Sequence, residues 1–233
     1  MKRRSRRYER LSQLIDKKEY SLDEAVNLLK QTAQAKFDES VEIAIRLGVD
    51  PRRAEQAIRG TVSLPHGLGK SVKVLVITKG EKAEQAQRAG ADFVGYEEYL
   101  QKIEKENWLD FDVLVATPDS MKDLGKLGKI LGPRGLMPNP KSGTVTMDIE
   151  QTVKEIKAGK IDFRVDKAGI IHSSVGKASF EATKLKDNIK SLMQMIIRLK
   201  PASAKGTYLR SIHVSNTMGP GIQLTPNVTE FQD

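Results

Sequence analysis

The chain has 233 residues, room for one large domain or two smaller ones, and its 39% hydrophobic and 30% charged residues describe a globular protein with material for a real core. Cysteine is absent and histidine occurs only at His66, His172 and His213, which argues against a disulfide scaffold, a cysteine nucleophile and a thiolate or histidine-rich metal centre. Lys and Arg number 39 against 30 Asp and Glu, a surplus of nine that points first to a polyanionic partner, nucleic acid or an anionic membrane surface.

The opening residues 1–16 are basic but run into no apolar stretch, so no secretory signal is expected. Nowhere do apolar residues approach the roughly 20 needed to span a bilayer. A helix is expected over 5–17 and a second over 22–33. The second opens with Ser21 and carries Glu24 three residues later, the pattern of a reciprocal capping box. Val41, Ile43, Ile45 and Leu47 then alternate with Glu42, Ala44 and Arg46, a period of two that predicts a strand with one buried face. Asp50-Pro51 predicts a turn and 61–64 another short strand.

From residue 72 the style changes. The continuous apolar run 72–78 predicts a strand buried on both faces. It is followed by a helix over 82–89 with Gly90 at its end, a strand over 92–94, a helix over 97–106 and a buried strand over 113–117. Residues 119–131 read as mostly helical, and 149–157 as a last helix. Such alternation implies an inserted α/β doubly wound, Rossmann-like three-layer domain. Beyond it, 161–165 and 170–175 read as strands around a turn at 166–169. Leu185, Ile189, Leu192, Ile196 and Leu199 form one apolar stripe of a helix over 185–199, and 207–215 is a final strand.

Charge divides the chain in the same way. Residues 1–66 carry 14 basic and 10 acidic side chains, residues 67–158 carry 14 of each, and residues 159–233 carry 11 and 6. The outer segments hold the whole surplus. The expected organisation is an α+β split domain built from both chain ends, 1–66 and 159–233, around an inserted domain at 67–158. Gly67, Gly69 and Gly159 sit at the two crossings, where hinge backbone would be needed.

Gly67-Leu68-Gly69-Lys70-Ser71 has the ending of a phosphate-binding loop, but position 64 is leucine and a strand, not a helix, is expected next. No dinucleotide fingerprint and no nucleophile elbow are present, so neither a cofactor nor catalysis is expected. Residues 125–145 are dense in glycine and proline, with Lys126, Lys129, Arg134 and Lys141 interleaved. That stretch is expected to be irregular, either a stiff loop packed on its own domain or a basic platform for phosphates. The N-terminus sets Lys2, Arg3, Arg4, Arg6, Arg7 and Arg10 against Glu9, either a solvated helix start or an arm on nucleic-acid phosphates. It lacks the apolar face that a membrane-surface helix needs, so no membrane partner is expected. Phe37, beside Lys36 where a helix gives way to a strand, would ordinarily be core; lying against nucleic acid is the alternative. Thr217-Met218-Gly219-Pro220-Gly221 has little bulk and reads either as an ordinary turn or as a place where backbone approaches a ligand. Aromatics are only 5%, too few for the stacking platforms of single-strand binders, so a nucleic-acid partner would be recognised through folded shape, sugar hydroxyls and phosphates.

Together these stretches resemble the ribosomal protein L-one family, the large-subunit stalk proteins of bacterial or organellar type. Lys36-Phe37-Asp38-Glu39, Leu47-Gly48-Val49-Asp50-Pro51-Arg52, Arg59-Gly60-Thr61-Val62-Ser63-Leu64-Pro65, 126–145, Ala204-Lys205-Gly206 and Thr217-Met218-Gly219-Pro220 carry the resemblance. It implies a non-enzymatic protein, monomeric within the ribosome, in the cytoplasm or in the stroma or matrix of an organelle. Its implied partners are a hairpin-and-junction stalk element of large-subunit rRNA, the exit-site tRNA whose release the stalk assists, and a similar element in its own operon mRNA, whose translation it represses. Carried over by position, the RNA-binding residues would be Lys36, Phe37, Ser40 and Glu42; Asp166, Lys167, Gly169, His172 and Ser173; and Ser211, Thr217, Met218 and Gly219. Arg3, Arg4, Arg6, Arg7, Arg52 and Arg53 are candidates for further phosphate contacts. Glu42 and Asp166 suit ribose 2′-hydroxyls better than phosphate, and the lysines supply the salt-dependent attraction.

Overall fold

A computed structural model describes residues 5–227 and Phe231. Its elements run α1 (Arg6–Ser12), α2 (Leu22–Thr32), β1 (Ser40–Leu47), β2 (Arg59–Ser63), β3 (Val74–Ile77), α3 (Glu81–Arg88), β4 (Phe93–Gly95), α4 (Glu97–Glu106), β5 (Val113–Ala116), α5 (Met121–Leu124) and α6 (Gly128–Leu131). They continue with α7 (Ile149–Lys157), β6 (Lys160–Arg164), β7 (Ile170–Lys177), α8 (Ala182–Arg198), β8 (Leu209–Asn216) and β9 (Ile222–Leu224). The chain divides into two compact units, one comprising residues up to Gly69 and from Ile161, the other Lys70–Lys160. These divisions lie a few residues beyond the expected 66/67 and 158/159.

The first unit is built on a four-stranded antiparallel sheet in the order β7-β1-β8-β9. Val41, Ile43, Ile45 and Leu47 of β1 are buried while Glu42 and Arg46 are exposed, the alternation a half-covered sheet requires. The covered face receives α2 and α8. Leu185, Ile189, Leu192 and Ile196 form the buried stripe of α8, and Met193 joins them. The capping box of α2 is present in both directions, Ser21 accepting from the Glu24 amide and Glu24 from the Ser21 amide. β2 and β6 form a separate two-stranded sheet. Asn188, fully buried on α8, donates to Gly67 O at 2.9 Å and Val175 O at 2.8 Å and accepts from the His66 amide at 3.1 Å. It thereby ties residues 66–67 to the core. At Gly69 a β-carbon would fall 2.7 Å from the Phe180 ring, so close packing as well as its φ of +66° requires glycine there.

The second unit is a three-stranded parallel sheet in the order β4-β3-β5. Every residue of β3 is buried. Leu75 and Ile77 pack with Ile103, Leu124 and Leu131, whereas Val74 and Val76 pack with Ala86, Ile149, Val153 and Ile156. Helices therefore cover both faces, and strands without a polar side are the consequence. Phe93, Tyr99, Trp108 and Phe111 form a chain of tilted and edge-on ring contacts at one margin.

One expectation holds in modified form and another needs correction. Residues 119–131 are helical as expected, but in short contiguous pieces: a 3-10 turn at Pro118–Ser120, α5, a second 3-10 turn at Gly125–Leu127 and α6. Gly125 and Gly128 lower helix propensity within seven residues, and the run stops at Gly132. Conversely, 125–145 is not wholly irregular: it holds α6 and a second 3-10 turn at Pro140–Ser142, which the Asn139 side chain caps through the Lys141 amide at 2.8 Å. β9 had no counterpart in the sequence reading.

Candidate nucleic-acid interface

The uncovered face of the four-stranded sheet is ordered in rows across the strands. Ser174, Glu42 and Ser215 are directly opposite one another. The next row is His172, Ala44, His213 and Gln223, and the next Ile170, Arg46 and Ser211. Ala44 leaves room between the two imidazoles, and Glu42, Ser174, Ser215, His172, Ala44 and His213, with parts of Ile43 and Ser173, line a shallow depression of about 330 Å³. The face is polar but nearly neutral: hydroxyls, imidazoles, one carboxylate and one guanidinium.

At the end where β1 begins, two loops meet. Thr217 Oγ1 accepts from the Ser40 amide at 2.9 Å and donates to Ser40 O at 3.3 Å, while the Thr217 amide donates to Ser40 O at 3.0 Å. Lys177 Nζ donates to Ser40 Oγ at 2.9 Å. Glu39, only 2% exposed, accepts from the Ala35 amide at 2.9 Å and from the Met218 amide at 2.9 Å. One buried carboxylate thus fixes the loop before β1 to the loop after β8. Asp38 accepts from the Ser179 amide and hydroxyl at 3.0 and 2.8 Å, and Lys30 Nζ donates to the carbonyls of Ala178 and Phe180. Gly219 lies against Asn216, whose Cβ would be 3.2 Å from an added β-carbon. On this frame Phe37 and Met218 stand 55% and 48% exposed, beside an exposed Lys36. Phe37 is therefore not core.

The opposite end carries the 166–169 turn. Asp166 Oδ1 accepts from the amides of Ala168 and Ile170, both at 2.8 Å, and Oδ2 lies 3.7 Å from His172 Nε2. The Ile170 amide above all, with Ala168, holds the Asp166 carboxyl below the usual aspartate value. The Gly169 carbonyl, in a residue at φ +79°, accepts from the Leu47 amide at 2.9 Å, which brings the turn against the end of β1. Lys167 is exposed at the tip. Arg52 and Arg53 are exposed in the loop leaving β1 at this end, Arg53 lying 3.8 Å from Asp50. β1 spans about 24 Å between the two ends at roughly 3.4 Å per residue.

The residues named from the sequence therefore occupy one strip. Ser40, Glu42, His172 and Ser211 lie on the open face, Lys36, Phe37, Thr217, Met218 and Gly219 at one end, and Asp166, Lys167 and Gly169 at the other. Ser173 differs: it pairs with Ile43 in the alternation of the covered face while still bordering the depression, and Ser174 takes the place directly beside Glu42. Arg6 and Arg7 lie in α1, away from these strands in sequence, and Arg3 and Arg4 fall outside the described residues. Ala44, Arg46, Ser174, His213 and Ser215 were not anticipated. For Ala44, Arg46, His213 and Ser215 the period-two pattern was the available signal; for Ser174 a bulge at Val175, opposite the step from Val41 to Glu42, hides the register.

The model of the Ribosomal protein L1p/L10e family matches residues 29–220, more than four-fifths of the chain. The chain belongs to this family. It is thus a structural protein of the large ribosomal subunit that binds rRNA, in a family that is not enzymatic. Every RNA-binding position carried over above, from Lys36 to Gly219, lies inside the matched stretch, whereas the arginines of the N-terminus lie before it.

Proposed function

We propose that the open sheet face of the first unit, with the loops at its two ends, is the rRNA contact surface. The bound element is the hairpin-and-junction of the large-subunit stalk. The resulting stalk stands beside the exit site and assists the departure of deacylated tRNA, and the same surface binds a similar element in the protein's own operon mRNA and represses its translation. Both chain ends together supply this RNA-binding domain, and the unit of Lys70–Lys160 is the inserted one. Because residues 66–69 are tied to the first unit's core, hinge motion is assigned to the backbone beyond Gly69 and at Gly159.

The observation that carries this reading is the chemistry of the strip. A near-neutral field of hydroxyls, imidazoles and Glu42 suits ribose 2′-hydroxyls and base edges in a wide RNA minor groove. Lysines and arginines stand at its ends, where phosphates would be met. Exposed Phe37 and Met218 offer apolar contact to a sugar or an unstacked base. Within the strip two residues act mainly through geometry: Thr217 fixes Ser40, and Asp166 shapes its own turn.

Glu42→Lys tests the reading. It adds two units of positive charge to the middle of the face, so a surface that bound RNA by charge alone would bind more tightly. Loss of a hydroxyl acceptor and intrusion of a longer side chain predict the reverse, a weakening of at least tenfold for the stalk element with an unchanged melting curve. Tighter binding by the variant would contradict the assignment of the face.

A further inference from the structure

The carboxyl ends of the three parallel strands open on a cavity of about 330 Å³ that lies wholly within the second unit. It is lined by Thr78 and Lys79 after β3, Lys82 in α3, Tyr96 after β4, and Thr117 and Ser120 after β5, with Asp119 at its rim. β4 and β5 lie on either side of β3, so this is the point where the strand order reverses, the place at which open α/β sheets bind ligands.

Three features are unaccounted for by the fold alone. Thr78 is 2% exposed and its hydroxyl has no hydrogen-bond partner. Its neighbours are satisfied: Thr117 Oγ1 lies 2.7 Å from Ser120 Oγ, which donates to Ile77 O at 3.1 Å. Burying a hydroxyl unpaired costs stability that valine would not cost, so Thr78 Oγ1 is available to a partner from outside the protein, solvent or ligand. Secondly, neither Lys79 nor Lys82 has a carboxylate partner among the described residues. Lys79 Nζ lies 4.0 Å above the Tyr96 ring, and Lys82 Nζ meets only the weak acceptor Met147 Sδ at 3.1 Å. Thirdly, α3 starts at Gly80, with φ +69° and ψ −146°, a conformation for glycine, and no side chain caps its first amides.

We propose that this cavity binds the phosphate of a ribonucleotide. Thr78 Oγ1 donates to one phosphate oxygen, the free amides at the start of α3 meet another, and Lys79 and Lys82 balance the charge. Asp119, exposed and acidic, faces not the phosphate but a ribose hydroxyl, which it can accept. The ligand is a free nucleotide or a residue of an RNA chain; the chemistry is shared. The site does not depend on the rRNA surface of the first unit.

The test is an amide chemical-shift titration of the full-length protein with AMP, inorganic phosphate, adenosine and the phosphodiester ApA. AMP is expected to shift the amides of residues 78–82 and 117–120 saturably at millimolar concentration, and adenosine to leave them unmoved. Thr78→Val should weaken AMP at least fivefold while keeping or raising the melting temperature, since it removes an unpaired buried hydroxyl. A purely structural threonine would lower that temperature and leave AMP binding unchanged. Lys82→Gln, which removes a charge that meets the exposed Met147, should weaken AMP similarly and serves if Thr78→Val folds poorly. ApA binding as tightly as AMP assigns the site to an RNA chain, and AMP binding alone assigns it to a free nucleotide. No saturable shift, shifts spread over other lysines, or shifts indifferent to both variants would overturn the site, and inorganic phosphate binding as well as AMP would overturn the role of Asp119.

Discussion

Phe37 and Met218 are exposed on a frame whose loops are tied together by hydrogen bonds of Glu39, Asp38 and Thr217. Their apolar surface faces water without contributing to the core, so truncating them should cost little stability. Phe37→Ala is expected to weaken stalk-RNA binding by roughly five- to a hundredfold, the range of about 1–3 kcal/mol for an aromatic contact to a nucleotide. Met218→Asp adds repulsion from phosphate and should weaken binding at least as much. Thr217→Val acts differently. It deprives the Ser40 amide of its acceptor and frees the loop, so a loss near tenfold in affinity, about 1.4 kcal/mol, should accompany a small fall in melting temperature. Filter binding and thermal melts on the three variants check these together. Unchanged affinity in all three, with normal melts, would remove this end of the strip from the interface.

At the scale of elements, the 166–169 turn sets one end of the surface. The Asp166 carboxyl is held below its ordinary value, chiefly by the Ile170 amide, because the ionised form is the better acceptor. A depressed folded value gives a contribution that is present above the unfolded pKa, about 4, and is lost as pH falls through the lower folded value. Asp166→Ala should therefore destabilise the first unit at neutral pH, with the difference from wild type shrinking below about pH 4. Asp166→Asn, which keeps only a neutral acceptor for the turn, should restore part of the stability and remove its pH dependence. A difference that persists at pH 2 would show that the turn bonds are not the cause. Elements were legible where the local pattern decided them. The capping box at Ser21 and Glu24, the alternation of β1 and the buried run of β3 all follow from residues within one turn or one strand. The rest depended on partners distant in sequence. Which of Ser173 and Ser174 sits beside Glu42 is set by a bulge at Val175 in β7 that appears only when β7 pairs with β1, about 130 residues earlier, and β9 is only three residues long and exists by pairing with β8. Glu39 reads as one more acid of a charged loop until the loop after β8 brings the Met218 amide to it.

At the scale of the molecule, the two units have separate cores: none of the buried residues clustered around β1 belongs to Lys70–Lys160, and those packed on β3 all do. The charge follows the same division, which is why it was visible in the sequence, together with the change from alternating to continuously apolar strands. Joining Gly69 to Ile161 through a short glycine linker should leave a folded unit that binds the stalk element within a few-fold of the full chain. Circular dichroism and the same binding assay check this. A folded unit that no longer binds would place part of the RNA surface on the inserted unit. The cavity over β3 was not legible: its threonines and Lys79 lie in loops after β3 and β5, Lys82 in the first turn of α3, and no glycine fingerprint marks them.

Competition between the isolated rRNA stalk element and a scrambled hairpin across a salt series tests the central claim most directly. Recognition by a near-neutral face predicts that binding to the stalk element stays tighter by orders of magnitude as salt rises, while binding to the scrambled hairpin fades steeply. Equal affinities that vanish together with salt would mean that the surplus of nine positive charges binds RNA generically, and the strip from Lys36 to Gly219 would not be a recognition surface.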